Sequence, residues 1–157
     1  MHITPEARLS QRRFELPNRL PVVGSYRLAK RHRDIVYVAG HVSATLDLTD
    51  LIRGKVGADL TLDQAHEAAR ICALHMLSTL RIEIGSLDRV SSILKVFGMV
   101  NVAPGFVQLA HVIDGCTDQL IEVFGEDAGT PARVAVGMAE LPLGAAVETE
   151  MVVALAD

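Results

Sequence analysis

The sequence predicts an α+β fold in which a single mixed sheet carries two helices on one face. Half of the 157 residues are hydrophobic, so a chain of this length can bury one full core. Two helical patterns are separated by a strand pattern, and a pair of strand patterns flanks them on each side. Helices separated by strands favour one sheet with the helices packed against it. We therefore expect one domain spanning residues 1–157.

The chain begins with an arm and a pair of strands. Residues 1–21 contain three prolines and no clear period, which predicts an N-terminal arm packed on the surface. Residues 26–40 predict two strands with a turn near Arg33 and Asp34, because charged and apolar side chains alternate in the first of them. The second strand, "DIVYVAG", is β-branched and apolar, which predicts burial on both faces.

A long amphipathic helix follows a loop. Gly54 and Gly57 interrupt the residues before it, which predicts the loop. Thr61 and Gln64 have the spacing of a capping box, and apolar residues then recur at helical spacing. Gly85 stands where a C-cap glycine would end the helix.

A strand and a second helix come next. Residues 89–100 are rich in apolar and β-branched side chains and predict a strand. Residues 106–124 predict a helix that ends at Gly125. Gly115 lies inside this helix and is expected to kink or interrupt it, because glycine costs a helix interior about 1 kcal/mol relative to alanine.

Two strands joined by a turn through Pro142 and Gly144 complete the chain. In the first of these strands, Arg133 and every second residue after it share one face. The other face is apolar and is formed by Val134, Val136 and Met138. Two helices can cover only one face of the sheet, so this second apolar face would need a partner. We therefore expect a homo-oligomer.

Charge and cysteine content narrow the functional classes. The net charge of −4 argues against a nucleic-acid partner, and a solvated strand or turn accounts for the basic cluster Arg27–Arg33 more readily than RNA binding does. The two cysteines form no CxxC pair, the N-terminus is polar and charged, and no apolar run is long enough to span a bilayer. These features predict a cytoplasmic protein without a membrane partner.

The segment "TPARVAVGMAELPLGAAVETE" closely resembles the C-terminal signature of the YjgF/YER057c/UK114 family, also called the Rid family. The family pattern there is P-A-R, a strand, L-P, and a strand with E-x-E. The stretch "VGSYRLAKRHRDIVYVAGHVS" resembles the N-terminal segment of the family, and the resemblance covers Val22 to Ala154. The stretch "VIDGCTDQLIEVFGE" indicates a less-characterised branch of the family.

This resemblance implies a chorismate-mutase-like (ferredoxin-like) fold and a homotrimer with the sheets inside, the helices outside and three clefts between subunits. The best-known activity of the family is hydrolysis of reactive enamines or imines, such as 2-aminoacrylate, to a 2-oxo acid and ammonia. It uses no metal or organic cofactor. Some relatives are described as ribonucleases, and others have no known chemistry.

The resemblance also implies roles for two charged residues. Arg133 matches the family arginine that binds the substrate carboxylate, and its planar guanidinium suits that task. The alternative is a structural salt bridge at a sheet edge. Glu148 matches the glutamate that positions water and moves a proton; the alternatives are a solvated strand face and an intersubunit ion pair. Glu150 lies on the same sheet face, and a structural role is favoured for it.

Tyr26, Gly40 and His41 match the N-terminal part of the cleft. Tyr26 would border the cleft or pack as an ordinary strand residue. Where the main deaminase group has S-G-Q, this chain has Ala39-Gly40-His41, so a serine hydroxyl is missing, but Gly40 would still offer its N–H and His41 could titrate near neutral pH. Ala135 likewise replaces a cysteine. These departures bear on the substrate.

Two cysteines remain to be considered. Cys116 aligns near a family asparagine, which makes it a candidate substrate contact or a reactive thiol, although a buried inert cysteine is the commoner case. Cys72 and His75 share a helix face, but no third ligand is spaced to complete a zinc site. No metal or cofactor is therefore expected.

Three functions follow. The first is deamination of an imine or enamine carboxylate in an inter-subunit cleft, with Glu148 and Tyr26 as catalytic residues and Arg133, Gly40, His41 and Cys116 as substrate contacts. The second is non-catalytic binding of a small carboxylate metabolite, such as a 2-oxo acid, in the same cleft. Ribonuclease activity is the third, and the acidic net charge disfavours it.

Overall fold

The computed structural model describes residues 3–156. Nine helices and strands of more than three residues occur among them, in the order expected from the sequence apart from two short additional helices. They are α1 (Pro5–Arg12), β1 (Ala29–His32), β2 (Ile35–Val42), α2 (Leu62–Ile84), β3 (Val90–Asn101), α3 (Leu109–Phe124), α4 (Glu126–Gly129), β4 (Ala132–Met138) and β5 (Val147–Leu155).

The five strands form one mixed sheet in the order β1-β2-β5-β3-β4. Neighbouring strands are antiparallel except β3 and β4, which are parallel. The two C-terminal strands are therefore not partners, because β3 lies between them. Helices α2 and α3 cover one face, as predicted, and the core lies between them and the sheet.

Helix α2 begins and ends where the sequence predicts. The Thr61 side chain accepts from the Gln64 N–H and the Gln64 side chain accepts from the Thr61 N–H, so the capping box is complete. Gly85 has a φ of 87° and its N–H bonds to the Arg81 carbonyl. Residues 71–80 are all buried, so the middle of this helix is enclosed on every side.

Gly115 does not interrupt α3, which corrects the expectation drawn from helix propensity. The helix is continuous from Leu109 to Phe124. A Cβ at Gly115 would overlap the backbone carbonyl of His66 on α2. The glycine therefore allows two helices to pack with their backbones close together.

The N-terminal arm contains a helix that the sequence did not reveal. Thr4 caps α1, Pro5 occupies its first turn, and Arg13 ends it with a φ of 55°. Leu9 alone in this helix is buried, so there was no apolar period to detect. The first two residues of the predicted arm lie outside the described part of the chain.

The second face of the sheet is open in the single chain. Strand β2 was expected to be buried on both faces, but Tyr37 is 55% exposed while its neighbours Val36 and Val38 are buried. The apolar residues Val134, Val136 and Met138 also lie on this open face and are partly exposed, as the alternation on β4 predicts. The β-branched residues of β2 therefore contribute to a sheet face that no element within residues 3–156 covers.

Candidate active-site groove

A groove of about 400 Å³ lies on the open side of the sheet, between the arm and the turn at Pro142–Gly144. Three of the residues singled out from the sequence line it: Tyr26 before β1, Gly40 on β2 and Glu148 on β5. The remaining lining is largely apolar and comes from the arm, β2, the loop after it and the turn: Leu20, Pro21, Val23, Leu28, Val42, Leu51, Pro142 and Leu143.

Gly40 lies in a β-bulge that re-aims the end of β2. Val38 pairs with Met151 and His41 with Thr149, so β2 has one residue more than β5 over this interval. A Cβ at Gly40 would overlap Oε1 of Glu148. A larger residue here would therefore have to displace the carboxylate of Glu148 from its present position.

Glu148 combines partial burial with a negative neighbour. Burial raises the pKa of its carboxyl group above the ordinary value, and the charge of Glu150 raises it further. Within residues 3–156 its carboxylate accepts no hydrogen bond and makes no ion pair. A carboxyl group with a raised pKa in an apolar groove is a candidate group for proton transfer.

Tyr26 and Glu150 differ in their relation to the groove. Tyr26 is 47% exposed and forms part of the groove wall, where a ligand would cover it. Glu150 lies on the same sheet face as Glu148 but borders a separate hollow of about 180 Å³, together with Arg27, Lys30 and Tyr37. The two glutamates of the E-x-E pattern therefore face different surroundings.

His41 lies in the core and not in the groove. Its Nδ1 bonds to the Ala39 carbonyl at 2.7 Å and its Nε2 to the Thr79 hydroxyl at 2.8 Å, so Nδ1 carries the proton and Thr79 donates to Nε2. Burial lowers the pKa of His41 to about 4. His41 therefore does not titrate near neutral pH as expected. Its two hydrogen bonds instead connect the bulge in β2 to α2.

Arg133 and Glu148 lie on opposite faces of the sheet within one chain. Arg133 and Met151 pair with the same residue of β3 from its two sides, so their side chains share one sheet face. The Met151 side chain is buried on the face that the helices cover, whereas Glu148 faces the open side. The two strands are also separated by β3, which places them about 10 Å apart. One chain by itself does not bring this arginine and this glutamate together.

The guanidinium of Arg133 is partly engaged. Its Nη1 donates to Oδ1 of Asp114 at 2.7 Å and to the Thr117 hydroxyl at 3.0 Å. Its Nε and Nη2 make no hydrogen bond in the described part of the chain. The salt bridge considered as an alternative is thus present, and two donor groups remain for a further anion.

Cys116 is fully buried on α3. Burial raises the pKa of its thiol to about 12, so the reactive thiolate is scarce at neutral pH. Neither Cys116 nor the partly buried Ala135 borders the groove. In the single chain both belong to the packing around α3.

A second chamber of about 300 Å³ adjoins the groove, and Leu20, Pro21, Leu51 and Leu143 line both spaces. It contains the charged pair Asp50 and Arg53. The shared wall residues are apolar, so no motif in the sequence predicts that they line a site. Arg53 lies in a loop that likewise has no recognisable motif. The "LP" of the C-terminal signature, at Leu141 and Pro142, was the one available signal for the turn that forms part of the wall.

Residues 3–156 contain no group of three or more histidine, cysteine, aspartate or glutamate side chains placed to hold a metal ion. Over the same range, no helix has the length and apolar character needed to cross a membrane.

Comparison with known proteins identifies relatives over most of the chain. Residues 6–154 match the family model described as "YjgF/chorismate_mutase-like, putative endoribonuclease". "Protein TCP17" of Trypanosoma cruzi is 42% identical over 118 residues, which are 73% of this chain and 74% of that protein.

Solved structures extend the comparison to the fold. Atu1372 of Agrobacterium tumefaciens, a protein of unknown function, is 30% identical with a TM-score of 0.87, over 98% of this chain and 94% of that one. A "putative endoribonuclease" from Shewanella oneidensis MR-1 is 27% identical with a TM-score of 0.92, over 97% and 99%. Escherichia coli TdcF with bound serine, at 17% identity and a TM-score of 0.58 over 89% and 93%, shares the fold.

Proposed function

This chain belongs to the YjgF/chorismate-mutase-like family, and on that premise we propose that it hydrolyses a reactive imine or enamine carboxylate to a 2-oxo acid and ammonia. The observation that carries the proposal is the groove in which Glu148, with its raised pKa, lies against Gly40 and beside Tyr26. The serine in the TdcF structure supports a small amino-acid-like ligand.

The proposed chemistry needs one group that accepts and returns a proton. The ionised Glu148 takes a proton from a water molecule as the water oxygen attacks the imine carbon and the C=N electron pair moves to nitrogen. The protonated carboxyl returns this proton to the nitrogen, which gives a carbinolamine. Glu148 then takes the proton of the new hydroxyl group and passes it to the amine nitrogen, so that the C–N bond breaks, ammonia leaves and the carbonyl forms. The raised pKa makes the Glu148 carboxylate a stronger base for the proton that it takes from water.

We propose that the substrate carboxylate is bound by Arg133 of a neighbouring copy in a homotrimer. Arg133 and Glu148 lie on opposite faces of one chain, so a shared site requires two chains. The apolar open face supports such an assembly, since Tyr37, Val134 and Val136 would be covered in it. The free Nε and Nη2 of Arg133 match the two oxygens of a carboxylate.

Binding without catalysis is the second candidate. Two residues that differ from the family motif favour this candidate. Ala39 offers no hydroxyl group, and His41 is held in the core by its hydrogen bonds. A pocket without those polar groups would still hold a 2-oxo acid. Stabilisation of the protein by 2-oxo acids in a thermal-shift assay, without turnover, would support this candidate over the first.

The direct test is pyruvate release from enzymatically generated 2-iminopropionate. We expect the wild-type protein to accelerate it, Glu148→Gln to lose about 100-fold in rate, and Arg133→Ala to raise KM at least tenfold. Glu150→Gln is the matched control and should retain most of the activity, because Glu150 borders another hollow and burial, the larger cause of the raised pKa of Glu148, is unchanged. Release no faster than in buffer, alike for wild type and Arg133→Ala, would refute the deaminase proposal.

Mixing the two impaired variants, assayed at a substrate concentration well below KM, tests whether the site is shared between chains. Refolded together in equal amounts, Arg133→Ala and Glu148→Gln should recover about a quarter of wild-type activity, because each site draws one group from each of two neighbours. No recovery in confirmed mixed oligomers would contradict the inter-subunit site.

A further inference from the structure

The second chamber adjoins the proposed catalytic groove and contains a charged pair that the groove lacks. The two spaces share the apolar walls Leu20, Pro21, Leu51 and Leu143. Glu148 is in the first space, and Arg53 is in the second. An elongated ligand lying in both would therefore have an apolar middle and meet a cation at its far end.

Arg53 is held in place by two contacts that leave part of its guanidinium available. Its Nε donates to the Leu143 carbonyl at 3.1 Å, and its Nη1 donates to Oδ1 of Asp50 at 2.5 Å. Its Nη2 makes no hydrogen bond within the described residues, and the side chain is 51% exposed. A guanidinium held through Nε and Nη1 presents Nη2 in a fixed position as a donor to an anion.

The backbone fixes the spacing between the two ends. Arg53 forms a β-bridge with Ala145, and the Gly54 N–H bonds to the Gly144 carbonyl. Ala145 precedes Glu148 by three residues of extended chain, which is about 10 Å. A linear six-carbon molecule spans roughly 6 Å at the reach of an extended chain, and the two side chains can cover the remainder.

We propose that Arg53 binds a second acidic group at the far end of the substrate, so that the preferred substrate is a linear 2-imino acid of about six carbons with a terminal carboxylate. This inference rests on the proposed function for the identity of the reacting end. The apolar wall accommodates the methylene chain, and Arg53 distinguishes a terminal carboxylate from a terminal methyl group. Asp50 orients the guanidinium, and the positive charge of Arg53 disfavours ligands with a second cationic group.

The test compares two stable 2-oxo acids of equal length by calorimetric titration. 2-Oxoadipate ends in a carboxylate and 2-oxohexanoate in a methyl group. We expect the wild-type protein to bind 2-oxoadipate about tenfold more tightly, as one charge-assisted contact allows. Arg53→Gln should abolish the preference by weakening 2-oxoadipate alone, and Arg31→Gln, at an exposed position on β1 outside both chambers, should preserve it.

Binding is measured without turnover, so this result is independent of the deaminase proposal. A protein that shows the Arg53-dependent preference but releases no pyruvate from 2-iminopropionate would lose only the proposed reaction. Equal affinities, a preference that survives Arg53→Gln, or no binding of either acid by the wild-type protein would overturn the Arg53 subsite.

Discussion

At Gly40 a hydrogen atom in place of a side chain leaves room for the carboxylate of Glu148. Its φ is not in the left-handed region, so backbone conformation does not require glycine at this position. The steric constraint comes from the neighbouring strand β5, where Oε1 of Glu148 occupies the space that a Cβ would fill. The family resemblance gave Gly40 a role through its N–H, and the structure adds a steric role.

We expect Gly40→Ala to displace the Glu148 carboxylate and to destabilise the fold by no more than about 1 kcal/mol, because the atom that a Cβ would meet is the far end of a flexible side chain. The measurement is chemical denaturation of the single variant and of Gly40→Ala in a Glu148→Ala background. Removing the carboxylate should relieve most of the cost, giving a strongly non-additive double-mutant cycle. Additive effects would show that the alanine clashes with something else.

His41 shows how a one-residue insertion changes a prediction. Strict alternation from Val36 and Val38 would direct Gly40 into the core and His41 onto the open face. The bulge reverses this order, so that His41 enters the core and Gly40 faces Glu148. The prediction of His41 as a substrate contact came from its place in the family motif, and the bulge is decided by pairing with β5 that the local sequence does not reveal.

Among the elements, α3 packs very closely against α2 at Gly115. Helix propensity therefore predicts the wrong sign for the effect of alanine on stability at this position. Propensity alone makes alanine more favourable than glycine by about 1 kcal/mol in a helix interior. The carbonyl of His66 lies where the new methyl group would go. Backbone cannot turn aside as a flexible side chain does, so the contact outweighs the propensity.

Gly115→Ala is therefore expected to lower the free energy of unfolding by about 1–3 kcal/mol. The matched control is Asp118→Ala, at an exposed position three residues further along α3, which should be neutral or slightly stabilising. Both can be measured by urea denaturation. Stabilisation by Gly115→Ala would mean that the two helices separate easily and that the close approach is unimportant.

At the scale of the whole molecule, burial of neutral histidines makes the fold sensitive to acid. Burial lowers the pKa of His41 to about 4 and also lowers the pKa of His75, which bonds through Nε2 to the Ala44 carbonyl. The unfolded chain protonates both near pH 6.5, so between that pH and the folded pKa it binds more protons than the native state. Stability is therefore complete above about pH 6.5 and falls as the pH falls toward 4.

We expect His41 alone to account for a loss of about 3 kcal/mol between pH 7 and pH 4. His41→Gln should flatten the pH dependence of unfolding, because its amide can bond to Ala39 and Thr79 without titrating. His111→Gln changes an exposed histidine and should leave the slope unchanged. Denaturation at fixed protein concentration from pH 4 to 8 provides the measurement, and a wild-type slope equal to that of His41→Gln would contradict the assignment.

The order and type of the main elements follow from the sequence alone. The capping box at Thr61, Gly85 at the end of α2 and the alternation through Val134 and Val136 are local signals, and each is confirmed by the structure. The family resemblance is confirmed over residues 6–154. Local signals survive because capping, turn chemistry and side-chain period act over a few neighbouring residues.

Only the tertiary structure decided where the functional groups lie. It placed Glu148, Gly40 and Tyr26 in one groove, directed Arg133 to the opposite face and enclosed His41 and Cys116 in the core. It also joined Arg53 to that groove through a loop without a motif. These outcomes depend on strand order, on one bulge and on the packing of residues far apart in the chain, and the chemistry of a residue and its near neighbours does not contain that information.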